Sequence, residues 1–409
     1  MAQHRGNPPT MMLYNSQSRS VEPFTTRDGT ARIYVCGITP YDTTHVGHAF
    51  TFLTFDVLVR YLRYRGIDVT YVQNVTDIDD DILRKAREVG MNWRELADRE
   101  TARFRSDMRA LNALEFDHYV AATAHIDDII ALVSALLDRG LAYEANGNVY
   151  FSVARDPGFG KLSHLERSQM LPIANERGNN PDDPNKQDPL DFVLWQAAAP
   201  GEPTWHSPWG AGRPGWHIEC SAMALKYLGP QVDIHGGGHD LIFPHHECEI
   251  AQAEPVTGVE PFVRFWMHVA MVDYQGEKMS KSLGNLVLVD QVLQDYSADA
   301  LRLYLHSHHY RERWEYRDDD LDTWESVAAD LQEAADFESY GVENVLSVGV
   351  QRQRFLDAMD DDLDTPAAIA ALREIAEAIL EAPEDDDIRE AQATLRELAD
   401  ILGLTLEAR

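Results

Sequence analysis

The 409-residue sequence is poor in positive charge. Its 36 lysine and arginine residues face 68 aspartate and glutamate residues, a formal net charge of −32. A field of that sign repels polyanions at long range, so bulk charge gives no reason to expect a broad nucleic-acid-binding face. RNA would need a local basic patch. The same excess suits a salt-rich cytosol. Cysteine is scarce too: Cys36, Cys220 and Cys248 are too few for a disulfide framework and fit a metal site in a reducing compartment. No apolar run approaches the roughly 20 residues a membrane helix needs. The opening MAQHRGNPPTMMLYN has no hydrophobic signal core. A cytoplasmic protein with no membrane partner is expected. Internal repeats and C-x-x-C pairs are also missing. With 44% hydrophobic residues, the length is enough for two or three domains.

One stretch organises what is present, residues 31–56, ARIYVCGITPYDTTHVGHAFTFLTFD. The β-branched run Ile33, Tyr34, Val35 reads as a buried strand, and Gly37 and Pro40 mark a turn into a helix. A strand feeding a helix puts the helix N-terminus at the sheet's carboxyl edge, where open α/β sheets bind ligands. Free N–H groups and partial positive charge there suit a phosphate. His45 and His48 lie one helical turn apart and can face that phosphate together. Gly47 between them leaves room for a base or sugar. Far downstream, EKMSKSLGN (277–285) sets Lys278 and Lys281 around Met279, Ser280 and Ser282, a loop able to clamp polyphosphate with point charges and hydroxyls.

Between and around these stretches the pattern is legible at low resolution. Residues 1–30 read as a loose arm with one short strand near 12–14. Strands are predicted over 32–36 and 68–74, with a helix from about 46 to 65. Asn74 and Thr76, at a strand's carboxyl end, are pocket candidates. Asp77, Asp79 and Asp80 precede a helix and are read as its caps in preference to a metal site. Residues 92–145 read as amphipathic helices, and Asn146–Gly147 as a hairpin turn. The Pro-, Gly-, Asn- and Asp-rich stretch 155–210 reads as a long surface excursion without a core of its own. The sheet resumes over about 215–245, and helices follow from about 287 to 405. His306, His308 and His309 suit a helix end better than a metal cluster.

Cys220 closes GRPGWHIEC, and DIHGGGHDLIFPHHECEIAQ follows it. Pro244 can open a helix, so His245 and Glu249 are i and i+4 on one face. With Cys36 they form a plausible zinc set of two cysteines, a histidine and a carboxylate, gathered from separate elements. Cys248 falls on another face and reads as a spare thiol.

The paired motifs HVGH and KMSKS identify the sequence as resembling the class I aminoacyl-tRNA synthetases, and the cysteine, histidine and glutamate positions narrow this to the cysteinyl-tRNA synthetase family. The resemblance spans nearly the whole chain. It implies an α/β fold: a Rossmann-like parallel-sheet catalytic domain over 31–290 with an insertion at about 155–210, between an N-terminal arm (1–30) and an all-helical C-terminal domain (291–409). It also implies ATP as substrate with Mg2+, L-cysteine activated as cysteinyl-adenylate, and one Zn2+ on Cys36, Cys220, His245 and Glu249 that binds the substrate thiolate. His45, His48, Lys278 and Lys281 would then be catalytic. Substrate and ATP would meet Gly37, Thr39, Gly47, Thr76, Trp216, His235, Gly236, Gly237, Gly238, Asp240, Met279, Ser280 and Ser282. The glycine triplet would let the backbone approach the adenylate.

Two branches of that family fit. Phe50, where the tRNA enzymes usually carry arginine, resembles the mycothiol-pathway ligase that joins cysteine to glucosaminyl-inositol. So do NWRELADRE, ERGNNPDDPNKQDPLDFVLWQAAAPGEP and GNLVLV. The acidic last stretch, with no anticodon-binding module evident, points the same way. His235 and Glu249, with ECSAM and EIAQ, resemble the tRNA-charging branch. A small amino-sugar acceptor is expected ahead of tRNA-Cys, in a monomeric enzyme. A non-catalytic cysteine- or zinc-binding paralogue would have lost some of these signature residues, and none is lost.

Overall fold

The computed structural model describes residues 10–42, 44–279, 284–338 and 341–407. β1 (Met12–Asn15) and β2 (Ser20–Pro23) form an antiparallel hairpin. The segment expected as a loose arm is stitched down here: Asn15 donates from its side-chain amide to the Arg264 carbonyl and accepts from the Trp266 N–H. β3 (Thr30–Ile38) sorts its residues by parity. Ala31, Ile33 and Val35 enter one core, Tyr34 and Cys36 another, as strand alternation requires. α1 (Val46–Tyr64) packs on the first face, burying Phe50, Leu53, Phe55 and Leu58. Phe50 meets Trp314 edge to face at 5.6 Å, so it belongs to the core and not to a ligand surface.

β4 (Asp68–Val75) runs parallel to β3. α2 (Asp80–Val89) and α3 (Trp93–Ala110) follow. Asp79 caps α2, accepting from the Asp81 N–H at 2.8 Å. Asp77 accepts from the Thr123 N–H, and Asp80 pairs with Arg213. These acids hold local structure, as their placement before a helix suggests. β5 (His118–Ala121) then adds a further parallel strand to β4. This corrects the expectation of helices alone over 92–145: the four residues HYVA become a strand only through β4, a partner distant in the chain. α4 (Ile126–Asp138) completes this stretch.

β6 (Ala142–Ala145) and β7 (Asn148–Phe151) are joined by Asn146 and Gly147, at φ of 54° and 80°, the left-handed pair of a tight hairpin turn. After α5 (Arg167–Glu176), strands β8 (Phe192–Ala197), β9 (Trp205–Ser207) and β10 (Gly210–Pro214) complete an antiparallel sheet of order β6-β7-β8-β10-β9. The expectation of a coreless surface excursion over 155–210 is therefore corrected. Three of this sheet's strands lie at 192–214, and Phe151, Leu194 and Trp195 anchor a core of their own. One short apolar run, LDFVLW, between loop-forming residues is enough to make a buried strand.

α6 (Trp216–Leu228), β11 (Val232–Gly238), α7 (Glu247–Thr257) and β12 (Val263–Val269) close the main sheet, all parallel, in the order β12-β11-β3-β4-β5. The chain winds one way from β3 to β4 and the other way to β11. The carboxyl ends of β3 and β11 thus flank the topological switch point, where such sheets bind ligands. A small sheet of β13 (Val272–Tyr274), β14 (Glu277–Lys278) and, past α8 (Val289–Asp295) and α9 (Ala298–His306), β15 (Trp314–Glu315) leads to the C-terminal helices. These are α10 (Asp320–Asp336), α11 (Gly349–Asp360), α12 (Thr365–Leu380) and α13 (Arg389–Ile401).

The helices share one core with the α1 face of the sheet. Arg302 locks the two together. Fully buried, it donates to the Leu111 carbonyl at 2.7 Å and the Leu402 carbonyl at 2.8 Å, and it pairs with Asp56 of α1. His306 ends α9 and is buried, while His308 stacks on Trp314 at 3.9 Å. No helix among the described residues is long and apolar enough to cross a membrane.

Candidate active site

A cavity of about 1440 Å³ opens at the switch point. Cys36, Gly37, Thr39, His45, Gly47, His48, Trp216, Gly238, Asp240, Lys278 and Met279 line it. His45 is the N-cap of α1, its side chain accepting from the His48 N–H at 3.4 Å. The two imidazoles stack with centroids 3.8 Å apart. A side chain at position 47 would press on the His45 ring at 3.1 Å. The first turn of α1 carries no acidic residue; its Val46, His48 and Ala49 N–H groups already donate to the Val287 carbonyl, His45 Nδ1 and the His45 carbonyl, so what it presents to an anion is the positive helix end and the paired imidazoles. Across the cavity, Lys278 Nζ lies 3.0 Å from Asp240 Oδ2. Lys281, Ser280 and Ser282 lie outside the described residues.

Other expected pocket residues sit beneath the lining. The Gly37 N–H donates to Asn74 Oδ1 at 2.8 Å, and a Cβ on Gly37 would overlap the Asn74 carbonyl. Asn74 therefore shapes the turn from below, and Thr76 is buried beside it without lining the cavity. Gly236 and Gly237 are buried as well. A Cβ on Gly236 would overlap the Phe55 ring of α1, and one on Gly237 would meet Leu241 at 2.7 Å. Of the triplet, only Gly238 reaches the cavity.

The four expected ligands converge at the cavity floor. Cys36 Sγ lies 3.7 Å from Cys220 Sγ and 3.6 Å from Glu249 Oε1, which is 3.3 Å from His245 Nε2. They come from the end of β3, from α6, from the turn before α7 and from α7 itself. The ligand atoms of all four lie within 4.8 Å of one another, and all four residues are buried. His245 Nδ1 rests 2.8 Å from His217 Nδ1, and the Trp216 ring covers His245 at 4.2 Å.

Neither His245 Nε2 nor Glu249 Oε2 has a hydrogen-bond partner. Burial pushes the Cys36 thiol and the Glu249 carboxyl well above their ordinary ranges and His245 well below its own. Two thiols, a carboxyl and a bare imidazole nitrogen in such a place fit a divalent cation, which makes the deprotonated forms stable together. Two sulfurs, a nitrogen and an oxygen suit zinc. Cys248 packs in the insertion core and borders the cavity, outside this set of four.

Sequence reading missed the back of this cage. His235, expected at the pocket wall, lies fully buried behind the cage, 3.5 Å from Cys36 Sγ. His246 Nε2 is 3.3 Å from the same sulfur, and its Nδ1 is 2.8 Å from His268 Nε2. The doubled histidine in PHHE was the available signal.

A switch-point cleft, stacked histidines at a helix start and a lysine on the facing wall define a class I aminoacyl-tRNA synthetase domain. Comparison with known proteins agrees. Residues 23–326 match the family described as tRNA synthetases class I (C) catalytic domain, and residues 354–407 match a DALR domain. The chain belongs to the class I (C) tRNA synthetase family and is an ATP-dependent ligase. It is 47% identical to a cysteine–tRNA ligase of Dehalococcoides mccartyi, over 97% of this chain and 86% of that one. It is 48% identical to an L-cysteine:1D-myo-inositol 2-amino-2-deoxy-alpha-D-glucopyranoside ligase of Thermobifida fusca, over 93% and 92%. Among solved structures, methionyl-tRNA synthetase of Mycobacterium tuberculosis in complex with methionyl-adenylate shares the fold. That match has a TM-score of 0.63 at 16% identity and covers 91% of this chain and 88% of that one.

Proposed function

We propose that the protein is a cysteine ligase that activates L-cysteine with ATP as cysteinyl-adenylate and passes the cysteinyl group to the amine of a small amino sugar such as glucosaminyl-inositol. The observation that carries cysteine is the convergence of Cys36, Cys220, His245 and Glu249 at the cavity floor, with Cys36 open to the cavity. Zinc bound there would supply a soft Lewis-acid seat that prefers a thiolate to a hydroxyl, so serine is rejected without editing.

The other residues orient and stabilise. Trp216, packed on His245, walls the amino-acid end of the cleft. His45, His48 and the positive end of α1 steady the α-phosphate as the substrate carboxylate attacks phosphorus and the bond to pyrophosphate breaks. Lys278, together with Lys281, takes up the charge of the departing pyrophosphate. Catalysis is then by positioning and electrostatics. In the second step the acceptor amine attacks the adenylate carbonyl, loses a proton and releases AMP.

The net charge of −32 favours a small acceptor over a polyanion. The tRNA-charging reading is favoured by retention of Glu249 in the donor set and by a relative of that activity at 47% identity. The test is AMP formation from ATP and cysteine with glucosaminyl-inositol or total tRNA as sole acceptor, at low and high salt. Turnover with the amino sugar alone supports the proposal, and turnover with tRNA alone overturns its acceptor. Absence of cysteine-dependent pyrophosphate exchange overturns the activation step itself.

A further inference from the structure

We infer that the cage offers a metal ion two alternative seats that share Cys36 and Glu249. The inner seat is formed by Cys36, His235, His246 and Glu249. Zinc bonds of about 2.0–2.3 Å in a tetrahedron set donor–donor edges of about 3.3–3.8 Å. In the inner set, Cys36 Sγ stands 3.5 Å from His235 Nε2, 3.3 Å from His246 Nε2 and 3.6 Å from Glu249 Oε1. Glu249 Oε1 stands 3.4 Å from His235 Nε2 and 3.9 Å from His246 Nε2. Five edges thus fall within about 0.1 Å of the tetrahedral range. The outer set of Cys36, Cys220, His245 and Glu249 meets the same condition at 3.7, 3.6 and 3.3 Å. The two seats share an edge, so one ion at a time occupies the cage.

One of the two inner histidines, His246, is also built as a ligand. A metal-binding histidine characteristically has its remote ring nitrogen held by a hydrogen bond, which fixes the tautomer and aims the free lone pair. His245 has this support from His217. His246 has it from His268, whose other nitrogen lies 2.8 Å from Ser16 Oγ. His235 lacks that hydrogen bond, its Nδ1 being buried without a partner, and its ring is held by packing between Tyr34 at 4.9 Å and Trp266 at 4.7 Å. A core that needed only to be filled has no use for this relay. It aims a second imidazole at Cys36, and the consequence is a reserve seat that keeps the ion when Cys220 or His245 is lost or blocked.

This rests on the zinc reading above, and metal retention separates the two. The full chain is charged with zinc or cobalt, dialysed and assayed for metal per chain, with far-UV circular dichroism as the folding control. The native chain is expected to hold one ion. The Cys220→Ser/His245→Ala variant is expected to keep it, with the cobalt–thiolate charge-transfer band reduced to about half because one thiolate remains of two. Adding His246→Ala is expected to empty the cage. Where the double variant does not fold, His245→Ala with and without His246→Ala gives the same comparison. A folded variant without its outer ligands that binds no metal overturns the inner seat and leaves the zinc reading standing, as does retention indifferent to His246→Ala. A native chain that binds no metal overturns both.

Discussion

Substituting Gly236 separates two meanings of the glycine triplet. In the main sheet Gly236 pairs with Val35 of β3 and Met267 of β12. A Cβ there would overlap the Phe55 ring and come within 2.9 Å of the Met267 carbonyl oxygen. Phe55 is fully buried in α1, the helix whose first turns carry His45 and His48. In Gly236→Ala the ring must swing away or α1 must lift from the sheet. Overpacking of this kind costs about 1–3 kcal/mol, and the upper half applies because the carbonyl cannot rotate aside. Phe55→Leu shortens the obstacle at a cost of about 1.5 kcal/mol by itself. If the ring is the obstacle, the double variant is more stable than the two single losses predict, by about 1–2 kcal/mol. Urea denaturation of the four chains of this cycle, read beside the ATP KM in cysteine-dependent pyrophosphate exchange, decides the matter. Gly236→Ala with native stability and a raised ATP KM refutes the packing account and returns the glycine to the ligand.

Further expectations address the metal, a half-buried acid, the domain lock and the surface. Chelation should abolish cysteine-dependent exchange and lower stability by about 4 kcal/mol relative to a free ion at a thousand times its Kd, checked by urea denaturation of apo and reloaded protein. Burial lifts the Asp79 carboxyl to about 6 from 3.8. The folded chain then holds a proton that the unfolded chain releases, and stability falls by up to about 3 kcal/mol as pH rises from 4 to 7. Asp79→Asn keeps a capping oxygen and should remove that part of the pH slope in denaturation midpoints. Arg302→Leu leaves Asp56 with Arg60 as its remaining cation and unpairs the buried Leu111 and Leu402 carbonyls, and should cost about 3 kcal/mol; a native denaturation midpoint would refute the lock. Screening a net charge of −32 should raise the midpoint between 0.1 and 1 M KCl, where the Debye length falls from about 10 to about 3 Å; a lower midpoint would mean that the surface ion pairs outweigh the repulsion.

What could be read from the sequence followed from how few residue types can do each job. Cys36, Cys220, His245 and Glu249 stood out because buried thiols and carboxylates have few uses, and the i, i+4 spacing of the last two put them on one face. HVGH, weak by itself, stood out because KMSKS follows it downstream and the pair resembles the signature of the class I synthetases. Less local features stayed hidden. β5 exists only because β4 is there to pair with it, and the insertion core needed Trp195 and Phe151 to meet across a fold the loop-forming residues obscured. His246 and His235 belong to the cage through ring orientation, which spacing along the chain does not encode. The glycine triplet is the sharpest instance. A glycine in a sequence says that a side chain is excluded there, but not what excludes it. At Gly236 it is the Phe55 ring and at Gly237 it is Leu241, so only Gly238, which reaches the cavity, remains for a ligand to approach.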